Sequence, residues 1–270
     1  MIGWSMYQAR GRTDVTPFVN ASTKLVGELD RGIDLDDERA VADLFRLGRP
    51  DLIVHCAGVC DVETCEKSPE FAHTVNVEGT KILLDHAPRS ARLVYLSSDH
   101  VFSGDTGPYR EDSPTDPVSI YGKTRVAAEA LVLGRPNSLI VRPGLWIGPS
   151  VNGKLGHLDW LRYRHRRGLP MTVVADEARS AMWAEDAARR VWQLARSTIT
   201  GIRHLVASRA VGRPELARFL DAELAIGAHI DVHTRRDRRV PHLGVVELQT
   251  LYTDELATPL PSVVEQRQST

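Results

Sequence analysis

The chain has 270 residues, a formal net charge of -1 and 42% hydrophobic residues, enough to bury one large core. This balance excludes the basic surface of a nucleic-acid or anionic-membrane binder. No apolar run approaches the roughly 18 residues of a membrane helix, and the N-terminus lacks the basic-then-apolar pattern of a signal peptide. Cys56, Cys60 and Cys65 are an odd set of cysteines, read as reduced cytoplasmic thiols; without a fourth ligand at finger-like spacing they predict no metal site.

In chain order, Gly3 opens a short helix over residues 4–10, and residues 15–19 read as a strand. Residues 36–48 have helical spacing, with Val41, Leu44, Phe45 and Leu47 as the buried stripe, Asp36 as N-cap and Gly48 as stop. Residues 52–57, 92–97 and 138–142 are near-continuous apolar strands, the pattern of a parallel sheet covered on both faces. Residues 69–86 and 120–133 are the helices between them. Such repeats predict right-handed crossovers and a Rossmann-like doubly wound α/β fold. After Gly148 the pattern changes to helices at 152–167, 185–196 and 212–222, a strand at 171–174, and an irregular, proline-rich end from Asp254. The expected division is therefore a dinucleotide-binding domain over 1–148 and a smaller α/β substrate lobe over 149–270. The basic runs 162–167 and 235–239 read as solvated faces, the alternative being that the first meets substrate phosphates.

In such sheets ligands bind beyond the carboxyl ends of the strands. Cys56-Ala57-Gly58, Ser97-Ser98-Asp99 and Arg142-Pro143-Gly144 arrive there, and Tyr121 begins the helix beside them. Ser98 and Tyr121, 23 residues apart, are expected to meet. A dinucleotide site also needs a first strand and a glycine-rich turn at a helix N-terminus. Gly3 matches only the third glycine of that turn. Two readings stay open: Met1 is internal to a longer chain, or the chain has diverged from dinucleotide binding. Either way, the chain as written is expected to bind NAD(P) poorly.

The motifs in order resemble the extended short-chain dehydrogenase/reductase superfamily, within it the dTDP-4-dehydrorhamnose reductase group. They are the Arg49-Pro50-Asp51 strand, the acidic segment 61–66, the Asn76 helix, the Ser97–Gly104 run, Tyr109-Arg110-Glu111-Asp112, Tyr121 and Leu145-Trp146-Ile147-Gly148. The resemblance implies an NAD(P)H-dependent reductase of a 4-keto nucleotide sugar. Tyr121 would donate the proton, Ser98 would hydrogen-bond the ketone oxygen, and Arg125 stands where the family has lysine. Lys123 cannot replace it, because two residues along a helix face a nearly opposite side. The resemblance further implies cofactor contacts at Gly3, Asp34, Leu35, Cys56, Ala57, Gly58, Arg125 and Pro143, and substrate contacts at Asp99, His100 and Trp146. Residues 20–24 hold one cation and no acid, which leans towards NADP over NAD. A homodimer is a further expectation. The alternatives are a nucleotide-binding regulatory subunit, like that of methionine adenosyltransferase, and a nucleotide-sugar epimerase or dehydratase.

Overall fold

The computed structural model describes residues 1–18, 32–151, 153 and 156–265. Val19 and residues 20–24, on which the NADP lean rests, lie outside them. The chain opens with helix α1 (Ile2–Gln8). Residues 15–18, expected to begin a strand, form none. Pro17 has no N–H to give a ladder, and Val15 instead packs on the apolar cluster that α1 also joins.

Helix α2 (Glu38–Gly48) starts one residue later than expected: the Asp37 carboxylate, not Asp36, accepts from Ala40 N at 3.0 Å. Its Val41 and Phe45 are buried, as the stripe required, while Leu47 is exposed. Strand β1 (Leu52–His55) leads to the short helices α3 (Val62–Lys67) and α4 (Pro69–His73). A single π turn at Thr74–Glu78 joins α4 to α5 (Gly79–His86). Strand β2 (Arg92–Leu96) is wholly buried, α6 (Ile120–Leu133) follows, and β3 (Ser138–Pro143) returns.

The second half holds β4 (Leu145–Ile147), α7 (His157–Arg166), β5 (Met171–Val174), β6 (Ala178–Trp183) and α8 (Ala184–Arg196). It ends with β7 (Gly201–Leu205), β8 (Ala210–Gly212), α9 (Arg213–Leu224), β9 (Ile230–His233) and β10 (Val245–Val246). Of these, β4, β6, β7, β8, β9 and β10 were not read from the sequence, because strands inside a mixed half carry no clear period.

The main sheet is parallel throughout, in the order β1-β2-β3-β7. One face carries Val94, Leu96, Leu139 and Val141 against α8 and Met6 of α1. The other carries Leu93, Tyr95 and Ile140 against α2, α5 and α6. Burial on both faces explains the unbroken apolar strands. The two connections through α5 and α6 cross one face, whereas the one through α8 crosses the other. The β3-to-β7 connection thus has the opposite hand, which departs from the single right-handed rule expected. Its long excursion through the lobe strands lifts the usual constraint of a tight crossover. Strands β10, β6 and β4, with β8 beside β6, form a second sheet, and β5 pairs with β9. Arg179 on β6 reaches back from this sheet to the end of β2.

Candidate active site

The site is built on the turn after β2. Ser98 ends the strand and caps the 3₁₀ turn Asp99–Val101, its hydroxyl oxygen accepting from His100 N at 3.2 Å. Helix α6 meets this turn end-on. Ser119 caps it, accepting from Gly122 N at 3.1 Å, and the Glu66 carboxylate accepts from Ile120 N at 2.7 Å. Gly122 is required by the contact: a Cβ there would lie 2.1 Å from the His100 carbonyl oxygen. That close approach sets Tyr121 against His100, their rings edge-on with centroids 5.2 Å apart. Tyr121 itself is buried with Cys65 and Ala72.

Arg125 lies one helical turn beyond Tyr121 and is buried, while Lys123 faces solvent. Its guanidinium carbon stands 5.0 Å from the centre of the Tyr121 ring, and its Nη1 donates to the Tyr95 hydroxyl at 2.9 Å. Burial opposes the charge, but the two tyrosines more than offset this and keep its pKa above the usual arginine value. Burial also raises the Tyr95 pKa, with Arg125 pulling the other way. Arg125 Nε is buried without a protein acceptor among the described residues.

The loop after β1 closes over this guanidinium. Gly58, at φ 144°, has no room for a side chain, since a Cβ would sit 2.6 Å from Arg125 Nη2 and 2.7 Å from Asn76 Oδ1. Asn76, in the π turn, accepts from Val59 N at 2.8 Å and donates to Val59 O at 3.0 Å and to Thr124 Oγ1 at 2.9 Å. One amide thus ties the loop to α6, and the π turn aims it there. Beside the loop, burial drives the His55 imidazole down to about 3, with Arg125 adding to the effect, and pushes the Cys56 thiol up to about 12. Neither can act as a charged group at neutral pH.

The other expected cofactor residues lie along the sheet's edge and its neighbouring helices. Gly3 adjoins Cys56, with its Cβ position 4.0 Å from the cysteine Cβ, and Ala57 is exposed beside them. Pro143 ends β3 next to Leu205 of β7. Leu35 packs on Gly79 at the start of α5, and Asp34 precedes it. Among the expected substrate residues, His100 joins Tyr121. Asp99 is buried and grips Arg179, whose Nε donates to Asp99 Oδ2 at 2.8 Å and whose Nη2 donates to Oδ1. Trp146 lies in the core cluster under α8, 1% exposed, its indole N–H buried without a protein acceptor among the described residues.

Sequence reading missed Tyr95 and Arg179, and gave no role to Asn76 beyond its motif. Tyr95 looks like any apolar strand residue, and Arg179 like any surface arginine; only the fold brings them in. Beyond Arg179, Glu177 is buried between Arg213, at 2.6 Å, and His242 Nδ1, at 2.8 Å. Burial raises the Glu177 pKa, but Arg213 and His242 outweigh it and hold the carboxyl far below its usual range. These groups form a polar seam between the two sheets. Behind the Ser98 turn, Glu129 takes the Ser97 hydroxyl, and its two oxygens accept from Arg142 Nε and Nη2, one edge of the guanidinium, at 2.7–3.2 Å, all of it buried.

Comparison with known proteins places this architecture. A dTDP-4-dehydrorhamnose reductase of Streptomyces griseus is 32% identical over 196 residues, covering 70% of this chain and 62% of the relative. The methionine adenosyltransferase 2 subunit beta of Xenopus tropicalis is 41% identical over 102 residues, covering 37% of this chain and 30% of the relative. In both matches the chain spans less than two thirds of the relative's length. In fold, the dTDP-4-dehydrorhamnose reductase of Yersinia enterocolitica superposes with a TM-score of 0.79 at 24% identity, over 97% of this chain and 91% of that one. A family model described as the RmlD substrate binding domain matches residues 2–241. The chain belongs to the RmlD substrate binding domain family.

Proposed function

We propose that the chain is an NAD(P)H-dependent reductase of a 4-keto nucleotide sugar. The observation that carries this reading is the junction of Tyr121 with the Ser98–His100 turn on one side and Arg125 on the other. It combines a phenolic proton donor, a hydroxyl at a strand end and a buried cation in one place. A bound nicotinamide dinucleotide would supply the hydride. At the nicotinamide end the residues fit such a group: Ala57 and Gly58 give a small floor, Pro143 a wall, and Arg125 Nε an unused donor. At the pyrophosphate end, Gly3 is the one residue of the expected turn among those described.

In this reading Tyr121 transfers its proton to the ketone oxygen, and Ser98 orients that oxygen. Arg125 keeps Nε for the cofactor. Its Nη1 is held by Tyr95, so it acts on Tyr121 through the ring face, as a fixed charge that favours the phenolate left after proton transfer. In the same reading the chain divides into a dinucleotide-binding domain over 1–148 and a substrate lobe over 149–270, with the Asp99–Arg179 pair joining the lobe to the Ser98 turn. The lobe's chain returns α8 and β7 to the main sheet. The three free thiols suit the reducing cytoplasm, and a homodimer is part of the same family reading. The test is oxidation of NADPH and of NADH by the purified chain in the presence of a dTDP-linked 4-keto-6-deoxyhexose. Turnover that vanishes in Tyr121→Phe sustains the reading. Cofactor binding without turnover would return the chain to the regulatory alternative.

A further inference from the structure

The His100 imidazole carries a hydrogen-bonding constraint that the proposed proton transfer does not use. Arg179 Nη1 lies 3.3 Å from His100 Nε2, and an arginine can only donate. Nε2 must therefore offer its lone pair. Arg179 cannot turn away to relax this demand, because the fully buried Asp99 carboxylate holds its Nε and Nη2. Burial, and then the charge of Arg179, hold the imidazole neutral. A neutral ring with a bare Nε2 carries its proton on Nδ1. That Nδ1 is buried and has no acceptor among the described residues. A buried donor left unpaired is costly in a folded protein unless a ligand completes it.

We propose that Asp99 and Arg179 lock His100 as its Nδ1–H tautomer, and that this N–H receives the oxygen on the carbon next to the substrate's ketone. The site then takes α-hydroxy ketones in preference to ketones lacking that oxygen. The inference rests on the reductase reading for its substrate and on the geometry alone for its tautomer. Tyr121 and His100 are donors on rings in edge contact, so a substrate with oxygens on neighbouring carbons satisfies both at once. Loss of the second oxygen strands the His100 N–H, and sites built around a buried donor reject such analogues strongly. Here Arg179 is a positioning residue; His100 is the group that touches substrate.

Two measurements test this. The first compares kcat/KM of the wild-type chain, with NADPH, on a dTDP-linked 4-keto hexose bearing the 3-hydroxyl and on its 3-deoxy counterpart. A preference of about tenfold or more for the hydroxylated ketone is expected, the value of one hydrogen bond. In His100→Phe that preference should shrink to within about twofold while the 3-deoxy ketone is still reduced. An unchanged preference in His100→Phe overturns the proposal. The second measurement is ¹⁵N NMR of the histidine ring in the wild-type chain, which needs neither turnover nor a variant that folds. A pyrrole-type signal for Nδ1 and a pyridine-type signal for Nε2 are expected; the reverse assignment overturns the lock. The double replacement Asp99→Asn, Arg179→Met removes the lock without leaving a lone buried charge, and should give a mixture of tautomers. If the wild-type chain reduces neither ketone, the reductase reading and the substrate half fall together, and the nitrogen spectrum alone decides the tautomer.

Discussion

Two buried arginines on neighbouring elements are held in opposite ways. Arg142, on β3, has its charge matched by Glu129, which also takes the Ser97 hydroxyl. Arg125, on α6, has no carboxylate in ion-pair contact among the described residues; its neighbours are the phenols of Tyr95 and Tyr121. The first arrangement is electrically closed and sits behind the Ser98 turn. The second leaves a cation beside a group that can become an anion. A buried ion pair completed by the protein holds structure, whereas a buried charge completed only by titratable phenols is poised for a reaction.

The comparison can be broken first at its structural end. Glu129→Ala should destabilise the chain by about 3–5 kcal/mol, because it strands Arg142 in the core. Urea denaturation gives the value, and a loss below about 1 kcal/mol would show that the pair is not what holds this region. At the reactive end, Tyr121→Phe should lower kcat by a hundredfold or more at little cost in stability or cofactor affinity. Stopped-flow reduction alongside calorimetric NADPH titration separates the two effects. Equal loss of affinity and rate would make Tyr121 a binding residue instead.

A pH experiment sharpens the contrast between paired and unpaired buried groups. His55 and His157 are held neutral down to about 3, and His204 down to about 4, chiefly by burial. The unfolded chain takes up these protons near the ordinary histidine value of about 6.5, so between the two limits it binds more protons than the folded one. Stability contributed by these groups is complete above about pH 6.5 and is lost as pH falls towards about 4 for His204 and about 3 for His55 and His157, by at most about 1.4 kcal/mol per pH unit for each histidine. Thermal melts across that window check the sign; a flat profile would mean that the rings are solvated. Arg125→Met should lower kcat by about tenfold with the fold retained, since tyrosines, unlike Glu129, tolerate losing the cation. The smallest effect is expected of Lys123→Ala, within about 0.5 kcal/mol of wild type in stability and unchanged in rate. A larger loss of rate would reassign the family's lysine position.

Much of the fold is legible in the sequence. Leu93, Val94, Leu139 and Ile140 announce buried parallel strands because both faces must be apolar, and the stripe of α2 falls where its spacing put it, apart from Leu47. Part of the site was legible too, since Ser98, Tyr121 and Arg125 stand at strand-end and helix-start positions that this topology brings together. The exceptions have local causes. Residues 15–18 have strand-like composition but find no ladder partner among the described residues. Asp36 and Asp37 are equally good caps on paper, and backbone geometry chose the second. The small strands β4 and β8 are too short for a period to show.

By itself the sequence determined the alternation of strands and helices and the order of the motifs, because periodicity and spacing are properties of the chain. Only the tertiary structure decided what each buried polar group faces. That Arg125 turns to Tyr95, that Asn76 ties the Gly58 loop to α6, and that Arg179 crosses from the second sheet to Asp99 and His100 all depend on contacts between distant segments. No local propensity encodes such contacts. They follow from the rule that a charge or amide removed from water must be matched by whatever the fold places within reach.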